Sequence, residues 1–281
     1  MQTALTAMEG FTFGCDPELF VLNQDGKAVS AEGLLPGTKE KPYPVLGGAV
    51  QVDGMAAEFN IEPAKNFTEF NGNIVTVLKQ LKGMLPDGYK LAPVPTMVFD
   101  EDVWEHTPEK AKELGCTPDF NAWTGEVNPP PNDPDNPRLR TASGHLHIGW
   151  TEGEELSDLQ HILNCRDLVK QFDWYLGGWS LKMDPDPVRR RLYGKAGACR
   201  YKDYGVEYRV LSNFWLTSKE RRLAVWNRMQ AAIHDMRKGF IPEKYANFNS
   251  SLIYSINESQ RDKMLEHQFQ FPLHTVNIKK Y

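Results

Sequence analysis

The chain has 281 residues and a formal net charge of −5, from 37 acidic and 32 basic side chains. Hydrophobic residues make up 41% of the sequence and charged residues 25%, so we expect a sizeable folded core and exclude wholesale disorder. The mild acidic excess argues against nucleic-acid binding driven by bulk charge, although it leaves room for a local basic groove.

Hydrophobic periodicity predicts strands and helices in mixed order. Strand-like stretches lie, in chain order, at residues 11–23, 27–30, 48–60, 91–98, 145–150 and 206–211. Amphipathic helices are predicted at 68–84, 156–176 and 218–237. Irregular segments are predicted at 31–48 and at 119–137, where an insertion rich in Pro, Asn and Asp is a candidate lid. Because no regular βαβ alternation appears, we expect an α+β fold with a largely antiparallel sheet, formed by one domain over residues 1–281.

The cysteines and the N-terminus bear on location. Cys15, Cys116, Cys165 and Cys199 form no C-x-x-C pair, which indicates free thiols in a reducing compartment. Residues 1–10 lack the basic segment and the continuous apolar run of a signal peptide. All apolar stretches are short and interrupted, so we expect no membrane span and a cytoplasmic protein.

The first cluster of chemically informative residues is the segment Gly14-Cys15-Asp16-Pro17-Glu18. Asp16 and Glu18 are two positions apart, so on a strand they share a face. Two neighbouring carboxylates repel each other unless a cation lies between them. The pattern therefore predicts either a metal site or a solvated turn before an apolar strand.

The second cluster centres on Glu58, which follows Asp53-Gly54 and is flanked by small and apolar residues. Such flanks are unusual for a surface strand and suit a buried ligand. Asn60 and Glu62 continue the same face by strand periodicity. The alternative interpretation is an exposed sheet edge.

The third cluster is the glycine-framed pair His145 and His147, with apolar residues between and after them. Two histidines on one strand face can chelate a divalent ion or hold a phosphate. A similar His-x-His pattern occurs in zinc hydrolases. A single histidine would more often be a core residue with its hydrogen bonds satisfied.

The fourth cluster combines the basic, glycine-containing stretch 189–200 with Glu207 and Arg209. Arginine suits the clamping of phosphate oxygens. Arg209 is a candidate for holding a substrate carboxylate or a transferring phosphoryl group, and Glu207 for binding metal. The alternatives are a solvated basic patch and a structural ion pair. The common phosphate-loop and dinucleotide fingerprints are absent.

In order and combination, these clusters resemble the glutamine-synthetase-like amidoligases, and within them the phage-type carboxylate–amine ligases. The resemblance covers residues 14 to about 213 and rests on four segments, namely 14–18, 53–60, 144–149 and 193–209. It implies a curved, mainly antiparallel sheet with helices packed on one face, and a site on the concave face. It also implies ATP and two or three Mg²⁺ ions as cofactors, an amide-forming reaction through an acyl-phosphate, and location in the host cytoplasm if a phage encodes the chain.

Carried over to this sequence, the resemblance assigns roles to individual residues. The implied metal ligands are Asp16, Glu18, Glu58, His145 and Glu207, of which Asp16 is a ligand or only orients the site. The implied nucleotide-binding residues are His147, Lys195, Arg191 and Arg200. The implied catalytic residues are Arg200, Arg209 and Glu207. The expected partners are a small-molecule or peptide carboxylate and an amine, and the oligomeric state stays open.

Two other reactions are compatible with the same residues. A phosphotransferase of the guanidino-kinase type would stop after phosphorylating a nitrogen and would form no amide. A zinc-dependent hydrolase built on His145 and His147 would contain zinc and need no ATP.

Overall fold

Helices and antiparallel strands make up the fold in a computed structural model of the chain. The structure describes residues 10–113, 119–131, 133–184, 186–239 and 246–260. The strand pairings within these ranges are antiparallel. The predicted α+β class with a largely antiparallel sheet is therefore confirmed. Cys116 lies outside the described residues, as does position 132 of the predicted insertion loop.

Within the described residues, the strands form two larger sheets and a two-stranded one. In chain order they are β1 (Thr12–Cys15), β2 (Glu18–Leu22), β3 (Ala28–Val29), β4 (Tyr43–Val45), β5 (Gly48–Asp53), β6 (Ala56–Ile61), β7 (Lys90–Ala92), β8 (Thr96–Val98), β9 (Phe120–Asn121), β10 (Leu139–Thr141), β11 (Leu146–Gly149), β12 (Ala198–Lys202) and β13 (Gly205–Tyr208). One larger sheet has the order β1-β11-β13-β12-β9, and the other has the order β3-β2-β6-β5-β4 with β7 paired to β2. Strand β10 pairs with β8.

The helices in the described ranges lie between these strands in the chain or after the last of them. They are α1 (Phe67–Met84), α2 (Glu101–His106), α3 (Glu109–Lys112), α4 (Leu159–Phe172), α5 (Gly178–Ser180), α6 (Pro187–Leu192), α7 (Lys219–Arg237) and α8 (Ala246–Asn257). A π-helical turn, Asp173–Gly177, joins α4 to α5, and a 3₁₀ turn covers Asn213–Thr217. No helix within the described ranges has the combination of length and hydrophobicity needed to cross a membrane.

Local sequence explains why α1 forms where it does. The side chain of Asn66 accepts a hydrogen bond from the backbone N–H of Glu69, and the Glu69 carboxylate reaches back to the Lys65 N–H, so the first turn is capped from both directions. Phe70, Ile74, Val77 and Leu81 are fully buried at helical spacing. That stripe packs against β5 and β6, and its burial holds the helix on the sheet.

Strand alternation separates the core from the opposite face of the sheets. In β6 the side chains of Ala57 and Phe59 are buried in the main hydrophobic cluster, whereas Glu58 between them faces a cleft. In β13, Val206 belongs to the core and Glu207 lines the same cleft. Helices α1 and α4 cover the core side of the two sheets, so the polar face is left for a site.

Several predicted strands are divided in the structure. The stretch 48–60 is a hairpin and not one strand, because Gly54 adopts a φ of 57° that favours glycine and turns the chain between β5 and β6. The stretch 91–98 contributes β7 and β8 to different sheets. Residues 11–23 form β1 and β2, separated at Asp16 and Pro17.

The basic stretch and the insertion loop also differ from expectation. Arg189 and Arg190 lie on α6 and are 1% exposed, so at these two positions the basic stretch is helical and buried and does not form a solvated patch. Within the loop predicted at 119–137, residues 120–121 form β9 and pair with β12. The hydrophobic pattern also did not predict other elements, namely β4, β10, β12, α2, α3, α5 and α8.

Candidate functional site

A cleft of about 250 Å³ lies on the polar face of the two larger sheets and collects most of the charged residues that the sequence singled out. Its carboxylates are Asp16, Glu18, Asp53, Glu58, Glu113 and Glu207. Its cations are Lys39, Lys110, Arg140, Arg200, Lys202 and Arg209. The cleft also contains His145 and Tyr193. A polar, partly enclosed surface that carries charges of both signs can bind anions and metal ions.

Glu18 and Glu58 form the acidic part of the cleft. They are direct partners in the β2–β6 register, so their side chains emerge next to each other on one face. Glu18 accepts a hydrogen bond from the Ser143 N–H at 2.7 Å, and Glu58 accepts one from Gln51 Nε2 at 2.7 Å. These bonds fix the orientation of both carboxylates.

The pKa values of these two carboxyl groups reflect crowding. Burial, followed by the charge of Asp53, raises the pKa of Glu18 to about 7. Burial, followed by the charges of Asp16, Asp53 and Glu18, raises the pKa of Glu58 well above its usual range. The positive charge near these two carboxyl groups thus does not compensate for burial and for the neighbouring carboxylates. A divalent cation would favour their ionised forms.

Asp16 brings the two predicted histidines together. Its Oδ1 lies 2.9 Å from His147 Nε2 and 3.5 Å from His145 Nδ1. Burial opposes ionisation of Asp16, but the histidines outweigh it and hold the pKa of this carboxyl well below its usual range. Atoms of Asp16, His147 and Glu207 lie within 4.8 Å of one another, an arrangement that could hold a metal ion.

The pKa values of the two histidines shift in opposite directions. Burial, helped by Arg209, lowers the pKa of His145 to about 4, so its imidazole is neutral near pH 7 and has a lone pair to offer. Burial also acts to lower the pKa of His147, but the neighbouring Asp16 carboxylate outweighs burial and raises the pKa of this imidazole. His147 Nδ1 also contacts the hydroxyl of Tyr204.

Arg209 is the centre of the basic part of the cleft. Its Nε lies 2.7 Å from Asp119 Oδ1, and its Nη1 binds Glu207 Oε1. Lys202 Nζ lies 3.0 Å from the other oxygen of Glu207. Burial works against ionisation of Glu207, but Arg209 outweighs it and keeps the pKa of this carboxyl far below its usual range. The β12 neighbour Arg200 reaches the same Asp119 oxygen at 3.6 Å.

The remaining predicted site residues lie elsewhere. Arg191 is exposed on α6 and Lys195 is half-buried, and neither belongs to the lining of this cleft. Arg189 donates hydrogen bonds to the Val210 and Arg209 carbonyls and to Ser143 Oγ, which anchors the end of β13. The roles predicted for Arg191 and Lys195 stay predictions.

Three polar residues that contact predicted site residues, namely Gln51, Asp119 and Lys202, were not predicted from the sequence. Lys202 is two positions after Arg200, so strand periodicity on β12 could have found it. Gln51 could have been noticed only once the β5–β6 hairpin was recognised, because it is the register partner of Glu58. Asp119 carries no local signal, since its partners, Arg200 on β12 and Arg209 just after β13, are 81 and 90 residues away in the chain.

A Mg²⁺ site fits the residues present. The donors are carboxylate oxygens and one neutral imidazole, and carboxylates are the preferred protein ligands of this hard cation. Asp16 Oδ1 and His147 Nε2 are buried atoms that lie 2.9 Å from each other and have no other hydrogen-bond partner in the described structure. A bound cation would therefore be stabilised most near these atoms and near the Glu18 and Glu58 carboxylates, whose pKa values are raised.

No protein-family model matches the chain, and no curated protein matches it. Among solved structures, the crystal structure of a bifunctional glutathione synthetase from Pasteurella multocida aligns over 97% of this chain and 46% of that chain. The TM-score is 0.45 and the identity 10%. The chain thus spans about half the length of that protein, and at this level of similarity neither a fold family nor an activity is transferred.

Proposed function

We propose that this protein is an ATP- and Mg²⁺-dependent ligase that joins a carboxylate to an amine through an acyl-phosphate, on a curved glutamine-synthetase-like sheet. One observation carries the proposal. The paired carboxylates Glu18 and Glu58 share a cleft with the Arg209–Glu207–His145 cluster, so cation-binding and phosphate-binding groups face one volume. Both are required to neutralise a triphosphate and its transferring phosphoryl group.

In the proposed site, the metal ligands are the carboxylates and the neutral imidazole of the cleft, namely Asp16, Glu18, Glu58, Glu207 and His145. When bound there, Mg²⁺ would neutralise charge on the phosphate oxygens. Gln51 and the Ser143 N–H hold the two paired carboxylates in place, so little reorganisation accompanies binding.

Arg200 and Arg209 are the proposed contacts of the transferring γ-phosphoryl group. Asp119 holds both guanidinium groups, at 3.6 Å and 2.7 Å, which directs them to one place. The substrate carboxylate attacks the γ-phosphorus and ADP leaves. The unprotonated amine then attacks the acyl carbon and phosphate leaves, forming the amide. The segment around 119–131, which includes Asp119, would keep water from the acyl-phosphate.

Thermal unfolding with ATP, with Mg²⁺ and with both tests the nucleotide site without knowledge of the substrate. A ligand at 100 times its Kd adds about 2.7 kcal/mol of stability, which raises Tm by a few degrees. We expect this rise only when ATP and Mg²⁺ are both present, and we expect Glu58→Gln to remove it. Glu62→Gln, an exposed carboxylate just beyond β6, is the matched control and should behave like the wild type.

Trapping with hydroxylamine tests the chemistry. A carboxylate activated as an acyl-phosphate gives a hydroxamate with this amine, together with one ADP and one phosphate for each hydroxamate formed. A stable phosphorylated product without amide would instead support a phosphotransferase. If MgATP does not raise the Tm of the wild type, the proposed function is contradicted.

The Asp16–His147–Glu207 arrangement favours one second candidate, a zinc-dependent hydrolase, because zinc accepts both imidazole and carboxylate ligands. Elemental analysis separates the two. Copurifying zinc, lost in His147→Ala but retained in Glu58→Gln, would support the hydrolase. Dependence on MgATP and on Glu58 would support the ligase.

A further inference from the structure

Lys202 is a cation of the cleft that has no part in the proposed phosphoryl transfer. It ends β12, two residues after Arg200, so the two side chains share the face of the strand that lines the cleft. The Nζ atom of Lys202 lies 3.0 Å from Oε2 of Glu207, and the lysine side chain is 33% exposed. Glu207 itself is 1% exposed. Lys202 thus brings an ammonium group from the accessible part of the cleft to a buried carboxylate.

Both oxygens of Glu207 are occupied by cations of the protein. Arg209 Nη1 binds Oε1, and Lys202 lies against Oε2. Glu207 also belongs, with Asp16 and His147, to the group whose atoms could hold a metal ion, here called the Glu207 site. A divalent cation on Oε2 would lie within a few ångströms of the Lys202 ammonium, and like charges this close repel each other strongly in a buried site. A metal ion at the Glu207 site therefore competes with one of the two side chains.

Of these two side chains, Lys202 is the one that can leave. Arg209 also lies 2.7 Å from Asp119 Oδ1, so its departure would deprive a second buried carboxylate of this partner. Across the described ranges, the Lys202 side chain has Glu207 as its one ion-pair partner. A lysine side chain is a point charge on a flexible stem. Lys202 can therefore exchange Glu207 for a ligand in the cleft while the strand stays in place.

The paired carboxylates Glu18 and Glu58 present the opposite case. The hydrogen bonds that orient them come from neutral donors, namely the Ser143 N–H and the Gln51 amide. A cation that reaches this pair has no ammonium group to displace from these two contacts. The cleft thus offers one acidic pair that is ready for a divalent cation and one carboxylate that already holds a cation of the protein.

We propose that Lys202 is a built-in counter-ion that keeps the Glu207 site closed to metal ions until a nucleotide is bound. The inference rests on the proposed ligase function and deepens it by assigning an order of binding. In the free protein, Glu18 and Glu58 accept a divalent cation, whereas Glu207 keeps Lys202. A nucleotide phosphate offers the Lys202 ammonium a new partner, which frees Glu207 for a second cation.

Two effects of opposite sign follow from this competition. Without Lys202, the Glu207 site should bind a cation more tightly in the absence of nucleotide, because the competing ammonium is gone. Nucleotide binding should weaken, because one partner of the phosphates is lost. A lysine that only stabilised the fold would not raise the affinity for a cation.

Mn²⁺ binding to the full chain, counted by electron paramagnetic resonance, tests this order without knowledge of the substrate. Mn²⁺ prefers the same oxygen ligands as Mg²⁺. In the absence of nucleotide, we expect Lys202→Gln to bind one more Mn²⁺ per chain than the wild type, with an affinity of the Glu207 site raised about tenfold. ADP should allow the wild type to bind this additional ion. Calorimetric titration at saturating Mn²⁺ should show that Lys202→Gln binds ADP about tenfold more weakly.

Four further variants make the result specific. Glu207→Gln, added to Lys202→Gln, should abolish the additional ion and so assign it to the Glu207 site. Lys202→Arg keeps a cation beside Glu207 and should bind no more Mn²⁺ than the wild type without nucleotide. Lys202→Met keeps an apolar stem and repeats the measurement if Lys202→Gln does not fold. Lys170→Gln removes a half-buried lysine outside the lining of the cleft, 3.7 Å from Asp167, and should bind Mn²⁺ and ADP like the wild type.

Two results would overturn the inference. The first is Mn²⁺ binding by Lys202→Gln and Lys202→Met that is no tighter than that of the wild type, since it would show that the ammonium does not compete with a metal ion. The second is an additional ion with unchanged ADP affinity, which would show that Lys202 has no partner on the nucleotide. Failure of the ligase function is a separate readout, because it appears as absent MgATP stabilisation in the wild type, whereas competition at Glu207 is measured without nucleotide.

Discussion

Asp173 offers a quantitative test of how the segments around the cleft are held together. It opens the π-helical turn after α4 and is fully buried. Its Oδ2 accepts hydrogen bonds from Trp123 Nε1 and from the Gly197 N–H, each at 2.7 Å, and its Oδ1 accepts one from the Tyr208 hydroxyl at 2.8 Å. One carboxylate thus joins the 119–131 segment, the start of β12 and the end of β13, which together carry Asp119, Arg200 and Glu207.

The cost of keeping this carboxylate ionised follows from its pKa. Burial raises the pKa of Asp173 to about 7 from an ordinary value of 3.8, even though the three hydrogen bonds favour the charged form. Since a tenfold change in proton affinity corresponds to about 1.4 kcal/mol, ionised Asp173 destabilises the native state by about 4 kcal/mol. The folded pKa is the higher one, so the contribution to stability is complete below pH 3.8 and is lost as pH rises through 7.

Urea unfolding followed by circular dichroism, from pH 4.5 to pH 8, measures this effect in the wild type and in Asp173→Asn. The lost hydrogen bonds of the variant give an offset that does not depend on pH, whereas the titration gives a slope. We expect the free energy of unfolding of the wild type to fall relative to that of the variant by about 3 kcal/mol across this range. Asp25→Asn, in the exposed turn after β2, controls for the loss of one negative charge.

Parallel stability curves for the wild type and Asp173→Asn would refute the reasoning. They would mean that Asp173 does not change its protonation between pH 4.5 and pH 8 in the native state, and that its three hydrogen bonds fully compensate for burial. A relative slope of opposite sign would also contradict it, because it would require a folded pKa below the unfolded one.

Two other substitutions test the packing and the charge balance of the site. Gly144→Ala places a Cβ 2.4 Å from the Ser212 carbonyl oxygen and 2.5 Å from Trp215 Nε1, so we expect thermal unfolding to show that the free energy of unfolding falls by about 1–3 kcal/mol. Gly72→Ala, where the added Cβ meets open space on α1, is the control and should not destabilise the protein. An unchanged Tm for Gly144→Ala would contradict the geometry. Arg209→Ala leaves Asp119 and Glu207 without their shared guanidinium and should lower the free energy of unfolding, measured in urea, by about 3–5 kcal/mol. Arg209→Lys should recover part of this loss. An Arg209→Ala variant as stable as the wild type would contradict the prediction and would show that Lys202 and Arg200 neutralise the two carboxylates without Arg209.

The sequence predicts which side chains of a single strand share a face, because side chains alternate between the two faces with a period of two residues, which is a local property. The apolar neighbours of Glu58 and of Glu207 indicate strands with one polar face, and both carboxylates line the cleft. Partners across strands could not be predicted in this way. The pairing of Glu18 with Glu58 depends on the β2–β6 register, and Asp119 meets Arg209 only after β9 has paired with β12.

The arginine run shows a different limit. A basic stretch followed by glycines has the same composition whether it clamps phosphate or anchors a fold. Arg189 is an anchor because carbonyls of residues 209 and 210 satisfy it, and Arg190 because Ser180 and Asp184 lie beside it. These acceptors lie outside the arginine run, 6 to 21 residues away in the chain, so composition alone could not decide between the two roles.

Glu58 and Glu207 show why the site needs its neighbours to be understood. Both are buried strand carboxylates with apolar residues on either side, 6% and 1% exposed, and the sequence presents them as equivalent. Burial acts to raise the pKa of both carboxyl groups, but at Glu207 the charge of Arg209 outweighs it. At Glu58 the charges of Asp16, Asp53 and the register partner Glu18 add to it, so the two pKa values shift in opposite directions. The protein thus neutralises one side of the cleft with its own cations. The other side gains most from an added divalent cation, and there the effect of Mg²⁺ on stability should be largest.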